Sequence, residues 1–407
     1  MFKNKSRSII GSASAIAALM LSMAYTSGGA QASAAVTGGD GIGSPHFTTD
    51  QSVTNFSANA NTIPYFRSQF TDPTNGATYP YTMVGANPAN GGTTTIPTEI
   101  IPFSFTFTVS ADPAVHTLNG ADNVAKTIAS PVFQTSNVGA AADAAGSASA
   151  PPAFAAGRTV NEPSDTTQLG DAIYRAQWGK TGSSYHVLLG QPRVLPTQSF
   201  VVPQNLGVIV VGSRSHAHIG LLDYHWFSNR LNQTIRNMHI DPHTLPIILV
   251  NNTFLYLNHN LSNCCVLGYH GATSSLNGQG HQQVQTYMFA SYSTQGIFAA
   301  NPGDSVSYIA DIHGLSHEVQ EWYDDPFVNN AVNPWQTPTA PQYGCTSYLE
   351  TGDPVVGYGF KITMSNGVTY HPEDEAHFSW FARENPSRAE QGYYTYLNNF
   401  PTVAKGC

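Results

Sequence analysis

The sequence predicts a mixed α/β fold of the α+β kind, in which a strand-rich chain carries a small number of helices. Short runs rich in β-branched and aromatic residues recur along most of the chain, which is typical of strands. After residue 157 these runs alternate with segments whose apolar residues repeat at helical spacing. The last strand-like run precedes a helix over residues 311–325 that carries several acids and histidines. We therefore expect a mixed sheet with an active-site helix, preceded by a β- and loop-rich N-terminal region.

Residues 1–32 have the pattern of a secretory signal peptide. Three cations lie within the first seven residues, an apolar stretch runs from Ile9 to Tyr25, and Ala30-Gln31-Ala32 offers a small-residue cleavage site. No later stretch is long and apolar enough to span a membrane. We therefore expect a secreted protein, extracellular or periplasmic. Loss of the three cations would take the formal net charge from −9 to −12, which argues against binding to nucleic acid or an anionic membrane.

Residues 33–157 form the predicted β- and loop-rich region. A leader rich in Gly, Ser, Thr and Asn is followed by strand-like runs at Tyr79–Val84 and Glu99–Val109. The segment from Gly139 to Gly157 is rich in Ala, Gly and Pro, which favours a flexible linker at a domain boundary. A surface loop within a single domain is the alternative.

Residues 158–407 form the predicted metal-binding domain. Helical periodicity marks two segments before the acidic helix, and the second begins with an Asp in the capping position. Strand-like runs separate them. The predicted helices are Thr167–Trp178 and Asp223–Met238, and the predicted strands are Tyr185–Leu195, Gly207–Val211, Leu245–Val250, Phe254–Leu257, Cys265–Tyr269 and Val284–Tyr292.

The acidic helix contains the pentapeptide His317-Glu318-Val319-Gln320-Glu321. Residues four apart lie one helical turn above each other, so His317 and Glu321 can bind one metal ion, with Glu318 beside it as general base. This is the spacing of the HExxH zinc helix with Glu in place of the second His. Zinc accepts both imidazole and carboxylate ligands. Apolar residues mark the opposite side of the helix, and Asp325-Pro326 ends it.

An ordinary solvated helix face is the alternative to a metal site. Three observations count against it. Only 10% of residues are charged, the acids crowd into this segment, and Gly314 lies inside the helix, where glycine costs about 1 kcal/mol relative to alanine.

A catalytic zinc needs a third protein ligand and an open position for water. The segment from Glu350 to Asp353 supplies two acids, of which Glu350 is the favoured third ligand and Asp353 the next. A loop acid that caps the turn at Gly352-Asp353-Pro354 is the alternative. Asp325 and His270 are further candidates, although a lone histidine is more often structural.

Two other features of the sequence bear on function. His371 and His377 flank three consecutive acids, Glu373 to Glu375. A solvated acidic turn is the favoured interpretation, and a cation site or a set of residues that supports the metal ligands is the alternative. Neither a GxSxG elbow nor a phosphate-binding glycine loop occurs, which argues against a serine hydrolase of that type and against nucleotide binding.

The four cysteines lie beyond the signal peptide, at positions 264, 265, 345 and 407. An even number in an oxidising compartment predicts one or two disulfides. We expect Cys264 and Cys265 to bond separate partners, Cys345 and Cys407, rather than each other.

The last third of the chain resembles bacterial relatives of the phosphate-induced, Exordium-like secreted proteins. The resemblance rests on an ordered set of landmarks between Cys264 and Pro386: CCVLGYHG, LSHEVQEWYDDPFVNN, Trp335, LETGDP and TYHPEDEAHFSWFARENPS. It implies an exported, zincin-like protein whose metal is held by His317, Glu321 and either Glu350 or Asp353. This chain has no cysteine just after LETGDP, so the family's local disulfide arrangement does not carry over. The plant members resemble wall-associated growth signals, so the resemblance implies the metal site more directly than proteolysis.

The sequence therefore predicts a secreted zinc metallopeptidase acting on a protein or peptide substrate. Zn²⁺ held by His317, Glu321 and an acid of the Glu350–Asp353 segment would activate water, and Glu318 would move the proton. The main alternative is a non-catalytic exported or wall-associated binding protein on a zincin-like frame. Its ion is zinc or, because oxygen donors abound, Ca²⁺. A polysaccharide hydrolase that uses Glu318 and Glu321 as a carboxylate pair is a weaker alternative.

Overall fold

The computed structural model describes residues 40, 42, 47–48, 50–138, 165–298, 309–339, 341, 344–387 and 392–407. Five α-helices and twenty-one strands lie within these ranges, so the predicted mixed α/β class is confirmed. The predicted signal peptide and the predicted boundary at residue 157 lie outside them. Among the described helices, none has the length and apolarity needed to cross a bilayer.

The helices are short, and they are named here in chain order. They are α1 (Val124–Ile128), α2 (Leu169–Gln177), α3 (Tyr224–Met238), α4 (His313–Asp324) and α5 (Phe378–Ala382).

The strands fall into one large sheet, one of four strands and several pairs. They are β1 (Tyr65–Thr71), β2 (Thr78–Val84), β3 (Thr93–Ile96), β4 (Thr98–Phe107), β5 (Thr117–Asn119), β6 (Ser136–Asn137), β7 (Thr166–Thr167), β8 (His186–Leu189), β9 (Arg193–Val194), β10 (Gln198–Val202), β11 (Gly207–Val211), β12 (His218–Asp223), β13 (Leu245–Asn251), β14 (Thr253–Tyr256), β15 (Cys264–Val266), β16 (Gly268–Leu276), β17 (Gln282–Tyr292), β18 (Ala331–Gln336), β19 (Cys345–Tyr348), β20 (Ile362–Thr363) and β21 (Thr369–Tyr370).

The central sheet has the order β10-β4-β13-β17-β16, with β5 and β9 also paired to β4. Strands β10, β4, β13 and β17 run parallel, whereas β16 pairs antiparallel with β17 as a hairpin. The smaller sheet has the order β11-β12-β14-β15. Because β4 precedes residue 157 and pairs with β13, the central sheet spans both sides of the predicted domain boundary.

The two faces of the central sheet are covered by different helices. In β13, Ile247 and Leu249 face the core that contains α2 and α4, whereas Ile248 and Val250 face the core that contains α3. This alternation follows from the two-residue period of a strand. Tyr269 of β16 joins the α3 side. Its neighbour His270 therefore points to the side of the sheet that carries α4.

Most predicted elements are present at or near their predicted positions. The helix predicted at Asp223 begins one residue later, because the Asp223 carboxylate accepts a hydrogen bond from Trp226 N (3.0 Å) and caps it. The strand predicted over Tyr185–Leu195 is instead two short strands, β8 and β9. The break falls at Gly190-Gln191-Pro192, where proline has no amide hydrogen for a continuous ladder.

The predicted disulfide pairing is wrong. Cys264 bonds its neighbour Cys265, and Cys345 bonds Cys407 across Cα atoms 6.2 Å apart. Cys345 begins β19, which pairs with β18, and the C-terminal Gly406 forms a bridge to Trp335 of β18. The C-terminus is therefore held beside Cys345, whereas Cys264 and Cys265 are buried in another core.

Candidate metal site

Helix α4 is buried along its whole length, so the solvated-face alternative is wrong. All twelve of its residues are buried. Leu315, Val319 and Trp322 pack in the large core as the apolar stripe predicted. The helix also packs against β16 and β17, and its acids and histidines are buried as well. Gly314 lies in this contact, since a Cβ there would be 3.4 Å from the Leu267 carbonyl oxygen.

His317 occupies the centre of this buried side. Its Nε2 lies 3.1 Å from Glu321 Oε1 and 4.0 Å from Asp353 Oδ1, and it makes no hydrogen bond. Its Nδ1 lies 2.7 Å from Glu373 Oε2. An ionised carboxylate only accepts, so Nδ1 carries a proton and donates, and in the neutral ring Nε2 presents a lone pair to the two acids. Histidines that bind metal ions are held in this way by an acceptor on the far nitrogen.

The turn after Glu350 brings Glu321 and Asp353 together beside His317. Glu321 Oε1 accepts hydrogen bonds from Gly352 N (3.1 Å) and Asp353 N (3.2 Å). Gly352 lies so close to His317 that a Cβ would be 2.3 Å from Nδ1, so only glycine fits. The short 3₁₀ helix Asp353–Val355 begins here. Its first side chain, that of Asp353, is 27% exposed.

Two sets of three potential ligands meet at Glu321. The His317 group comprises His317, Glu321 and Asp353, and the His270 group comprises His270, Glu318 and Glu321. Within each group the ligand atoms lie within 4.8 Å of one another. His270 Nδ1 is 3.2 Å from Glu318 Oε2 and 3.7 Å from Glu321 Oε2.

The structure gives the other predicted ligands different roles. Glu350 Oε2 lies 4.0 Å from His270 Nε2, so the favoured third ligand is beside the His270 group, while Asp353 belongs to the His317 group. The Asp325 carboxylate instead accepts hydrogen bonds from the backbone of Asn329 and Asn330, just after α4. Its carbonyl oxygen lies 3.2 Å from His270 Nε2.

The predicted solvated turn at Glu373–Glu375 is wrong. All three acids are fully buried. Glu373 reaches His317, and its backbone N–H is held by the Ser316 hydroxyl of α4 at 3.0 Å. The available signal was three consecutive acids between two histidines in a chain with 10% charged residues. The contact between Glu373 and His317 could not be predicted, because the two residues are 56 positions apart in the sequence. His371 lies elsewhere, with Nδ1 2.6 Å from Asp311 Oδ2.

Burial and crowding set the electrostatics of the site. Burial raises the pKa of Glu318 well above its usual value, with the charges of Glu321 and Asp353 adding to the effect and that of His317 opposing it. Burial likewise raises the pKa of Glu350. Burial opposes the charged form of His317, but the carboxylates of Glu321 and Glu373 outweigh it and raise the pKa of the ring. Burial lowers the pKa of His270. Several acids compete for few protons, an arrangement that a cation relieves.

An N-terminal residue covers the site. The Phe47 ring stacks on the His317 imidazole, with centroids 3.5 Å apart and planes 16° from parallel, and Phe47 is itself buried. The chain that follows is anchored beside it, since Asp50 N donates to His270 O (3.2 Å). The Asp50 carboxylate accepts from the hydroxyls of Tyr224 and Tyr287. The candidate ligands are therefore closed off from solvent in this conformation, apart from the edge at Asp353.

No family model, curated protein or solved structure matches this chain. Function is therefore inferred from the residues themselves.

Proposed function

We propose that this protein is an exported zinc-dependent metallopeptidase whose ion is held by the His317 group. The observation that carries the proposal is His317 Nε2, a buried nitrogen without a hydrogen bond that faces the Glu321 and Asp353 carboxylates. Glu373 fixes the ring in that orientation. One imidazole nitrogen and two carboxylate oxygens fit zinc, and three protein ligands leave a position for water.

Glu318 is the residue proposed to move the proton. A zinc ion in the His317 group would polarise a scissile carbonyl and lower the pKa of water at its open position. Glu318 lies one residue from His317, and its Oε1 makes no hydrogen bond. A carboxylate at this position suits a group that accepts a proton and returns it to a leaving amine. Its other oxygen, Oε2, lies 3.2 Å from His270 Nδ1.

Closure of the site favours a second candidate, a non-catalytic exported zinc-binding protein. A peptide carbonyl reaches the His317 group only when the segment that carries Phe47 moves away, because this ring covers the imidazole. A protein that only stores or senses the ion needs no such opening. Calcium fits less well than zinc in either case, because imidazole is a poor ligand for it.

Metal content and cleavage, measured on the same samples, test the proposal. Zinc is counted by mass spectrometry in the wild type, His317→Ala and Glu318→Gln, and a denatured generic protein serves as substrate. His281→Ala is the control, because His281 is an exposed histidine in the loop between β16 and β17. The proposal expects zinc to fall by at least one ion per chain in His317→Ala but not in His281→Ala, and cleavage to vanish in both site variants.

Three results would contradict it. If the protein binds zinc but does not cleave the substrate, even after removal of the N-terminal segment, only the non-catalytic binding protein remains as a candidate function. Cleavage that survives Glu318→Gln would exclude the proposed base. Equal zinc in the wild type and His317→Ala would exclude the His317 group.

A further inference from the structure

We propose that the His270 group is a second metal position, and that Glu321 bridges it to the ion of the His317 group. The proposal concerns His270, Glu318 and Glu321, whose ligand atoms lie within 4.8 Å of one another. It rests on the proposed function in one respect only, namely that the two positions share Glu321. It does not depend on whether the chain cleaves peptides.

The orientation of His270 is the first argument. Its Nε2 lies 3.2 Å from the carbonyl oxygen of Asp325, which can only accept a hydrogen bond. Nε2 therefore donates, and in the neutral ring Nδ1 is a bare lone pair. That lone pair faces Glu318 Oε2 at 3.2 Å and Glu321 Oε2 at 3.7 Å. Three acceptors that face one another are repulsive unless a proton or a cation lies among them.

The second argument is that His270 repeats the arrangement of His317. In each ring the outer nitrogen is held by an acceptor, Asp325 O for one and the Glu373 carboxylate for the other. Each inner nitrogen faces a different oxygen of Glu321, Oε1 for His317 and Oε2 for His270. An outer acceptor that fixes ring and tautomer is the usual companion of a histidine that binds metal.

Buried oxygens without hydrogen bonds supply the third argument. Glu318 Oε1 and Glu350 Oε1 are both buried and unpartnered, and Glu350 Oε2 lies 4.0 Å from His270 Nε2. The arginine ion pairs of the described ranges join acids elsewhere, at positions 72, 99, 165 and 171. Buried carboxylates need a compensating charge, and a divalent ion can supply it here.

The backbone provides room for these ligands at the start of β16. Gly268 and His270 lie on the same side of the strand, two residues apart. A Cβ on Gly268 would be 2.6 Å from Glu318 Oε1, so glycine lets the Glu318 side chain lie against the sheet beside His270. One imidazole and two carboxylates suit zinc or manganese among the divalent ions.

A second ion changes what Glu318 can do. Its Oε2, which faces His270, would become a ligand, and a carboxylate bound to an ion is a poor proton acceptor. We therefore expect cleavage by the proposed peptidase to rise as the first zinc binds and to fall as the second position fills.

The test is a count of ions on the full-length mature protein. Metal-free protein is titrated with zinc chloride by calorimetry, and the zinc retained after desalting is counted by mass spectrometry. The wild type should retain two ions, and His270→Gln should retain one. Glutamine is chosen because its amide can still donate to Asp325 O while the lone pair at Nδ1 is removed. His281→Gln, in the same hairpin, should retain two ions.

Each outcome tests the second metal position separately from the proposed peptidase activity. A wild type that saturates at one ion overturns the second position, whether or not the variants fold. Two ions in a folded His270→Gln also overturn it. Two ions without cleavage contradict the proposed peptidase alone, and cleavage at one ion with no inhibition by excess zinc contradicts the second position alone.

Discussion

The imidazole of His317 lies flat against the ring of Phe47, with the ring centroids 3.5 Å apart. One residue is the proposed central metal ligand, and the other belongs to a short N-terminal stretch of chain. Residues before the sheet therefore form one wall of the metal site.

Phe47→Ala is expected to open that wall. Loss of a buried phenylalanine costs about 3 kcal/mol of stability, and it should speed zinc release to a chelator at least severalfold, because the ring shields His317. Stopped-flow release with a chromogenic chelator measures the rate. Phe56→Ala is the matched control, because Phe56 lies in the same N-terminal segment as Phe47 but packs on Phe327. Equal release from both variants would show that Phe47 is only a packing residue.

Glu373→Gln is expected to weaken zinc binding by about 10- to 100-fold, the usual effect of losing an outer partner of a metal-binding histidine. The amide no longer holds His317 Nδ1 as a charged acceptor. A competition titration against a chelator of known affinity gives the change. Glu384→Gln, at an exposed acid nearby in sequence, should have no effect. An unchanged zinc affinity in Glu373→Gln would show that Glu373 does not support zinc binding by His317.

Gly352→Ala is expected to displace His317 or the turn that holds Glu321. The new Cβ would lie 2.3 Å from His317 Nδ1, and overpacking of this kind costs about 1–3 kcal/mol. Urea unfolding and the zinc count should both show the loss. Gly278→Ala is the control, because nothing lies within 4 Å of a Cβ there. Similar results for the two variants would contradict the described contact.

The metal-free protein should lose stability as the pH rises from 6.5 to 8. Burial raises the pKa of Asp324 to about 7 and that of Asp325 to about 8, well above the usual range of an aspartate. A group with a raised folded-state pKa contributes stability that is lost as the pH passes that value. Each group adds a slope of up to about 1.4 kcal/mol per pH unit. The urea midpoint in EDTA measures the slope.

Two features of the structure sharpen that test. Burial lowers the pKa of His377 to about 3, so this ring is neutral in both folded and unfolded states over most of the range and contributes little slope. In Asp324→Asn the slope should flatten, because one titrating group is removed. Gln177 Nε2 can still donate to the remaining oxygen, so this contact is kept. A stability that rises with pH in both proteins would refute the assignment.

Removal of the Cys345–Cys407 bond should destabilise the protein by about 4 kcal/mol, because a bond that closes a long loop restricts the unfolded chain. The two residues are separated by 62 positions. Thermal unfolding of Cys407→Ser measures the effect. Lys405→Ala, at an exposed neighbour, should unfold near the wild-type temperature. A shift no larger than that of the control would mean that the C-terminus contributes little.

The local sequence pattern predicted the helices and strands better than it predicted which residues they contact in the folded protein. Helix α4 and the pairing of His317 with Glu321 follow from spacing along one helix, so they could be stated from sequence. The contact of Glu373 with His317 could not be predicted, because it joins helix α4 to a loop residue 56 positions later in the chain. The same holds for Phe47. Its neighbours in sequence show no periodicity, and only the folded chain brings it to the helix.

The vicinal disulfide was missed for a related reason. Disulfide pairing is decided by which sulfur atoms the fold brings together, and the sequence does not show this for Cys264 and Cys265. The Gly406–Trp335 bridge holds the C-terminus beside β18 and β19, and this gives Cys345 a partner at position 407.

The position of β4 has a consequence for how the chain is made. This early strand lies inside the central sheet, where Ile100 pairs with Ile247 of a strand that is synthesised much later. Contacts between distant segments are slow to form, and the loop between them must close first. A ribosome that has not yet produced β13 and β17 therefore holds a chain that cannot complete its sheet. Such a chain has not yet formed its sheet, which is the state that the proposed export of an unfolded polypeptide would require.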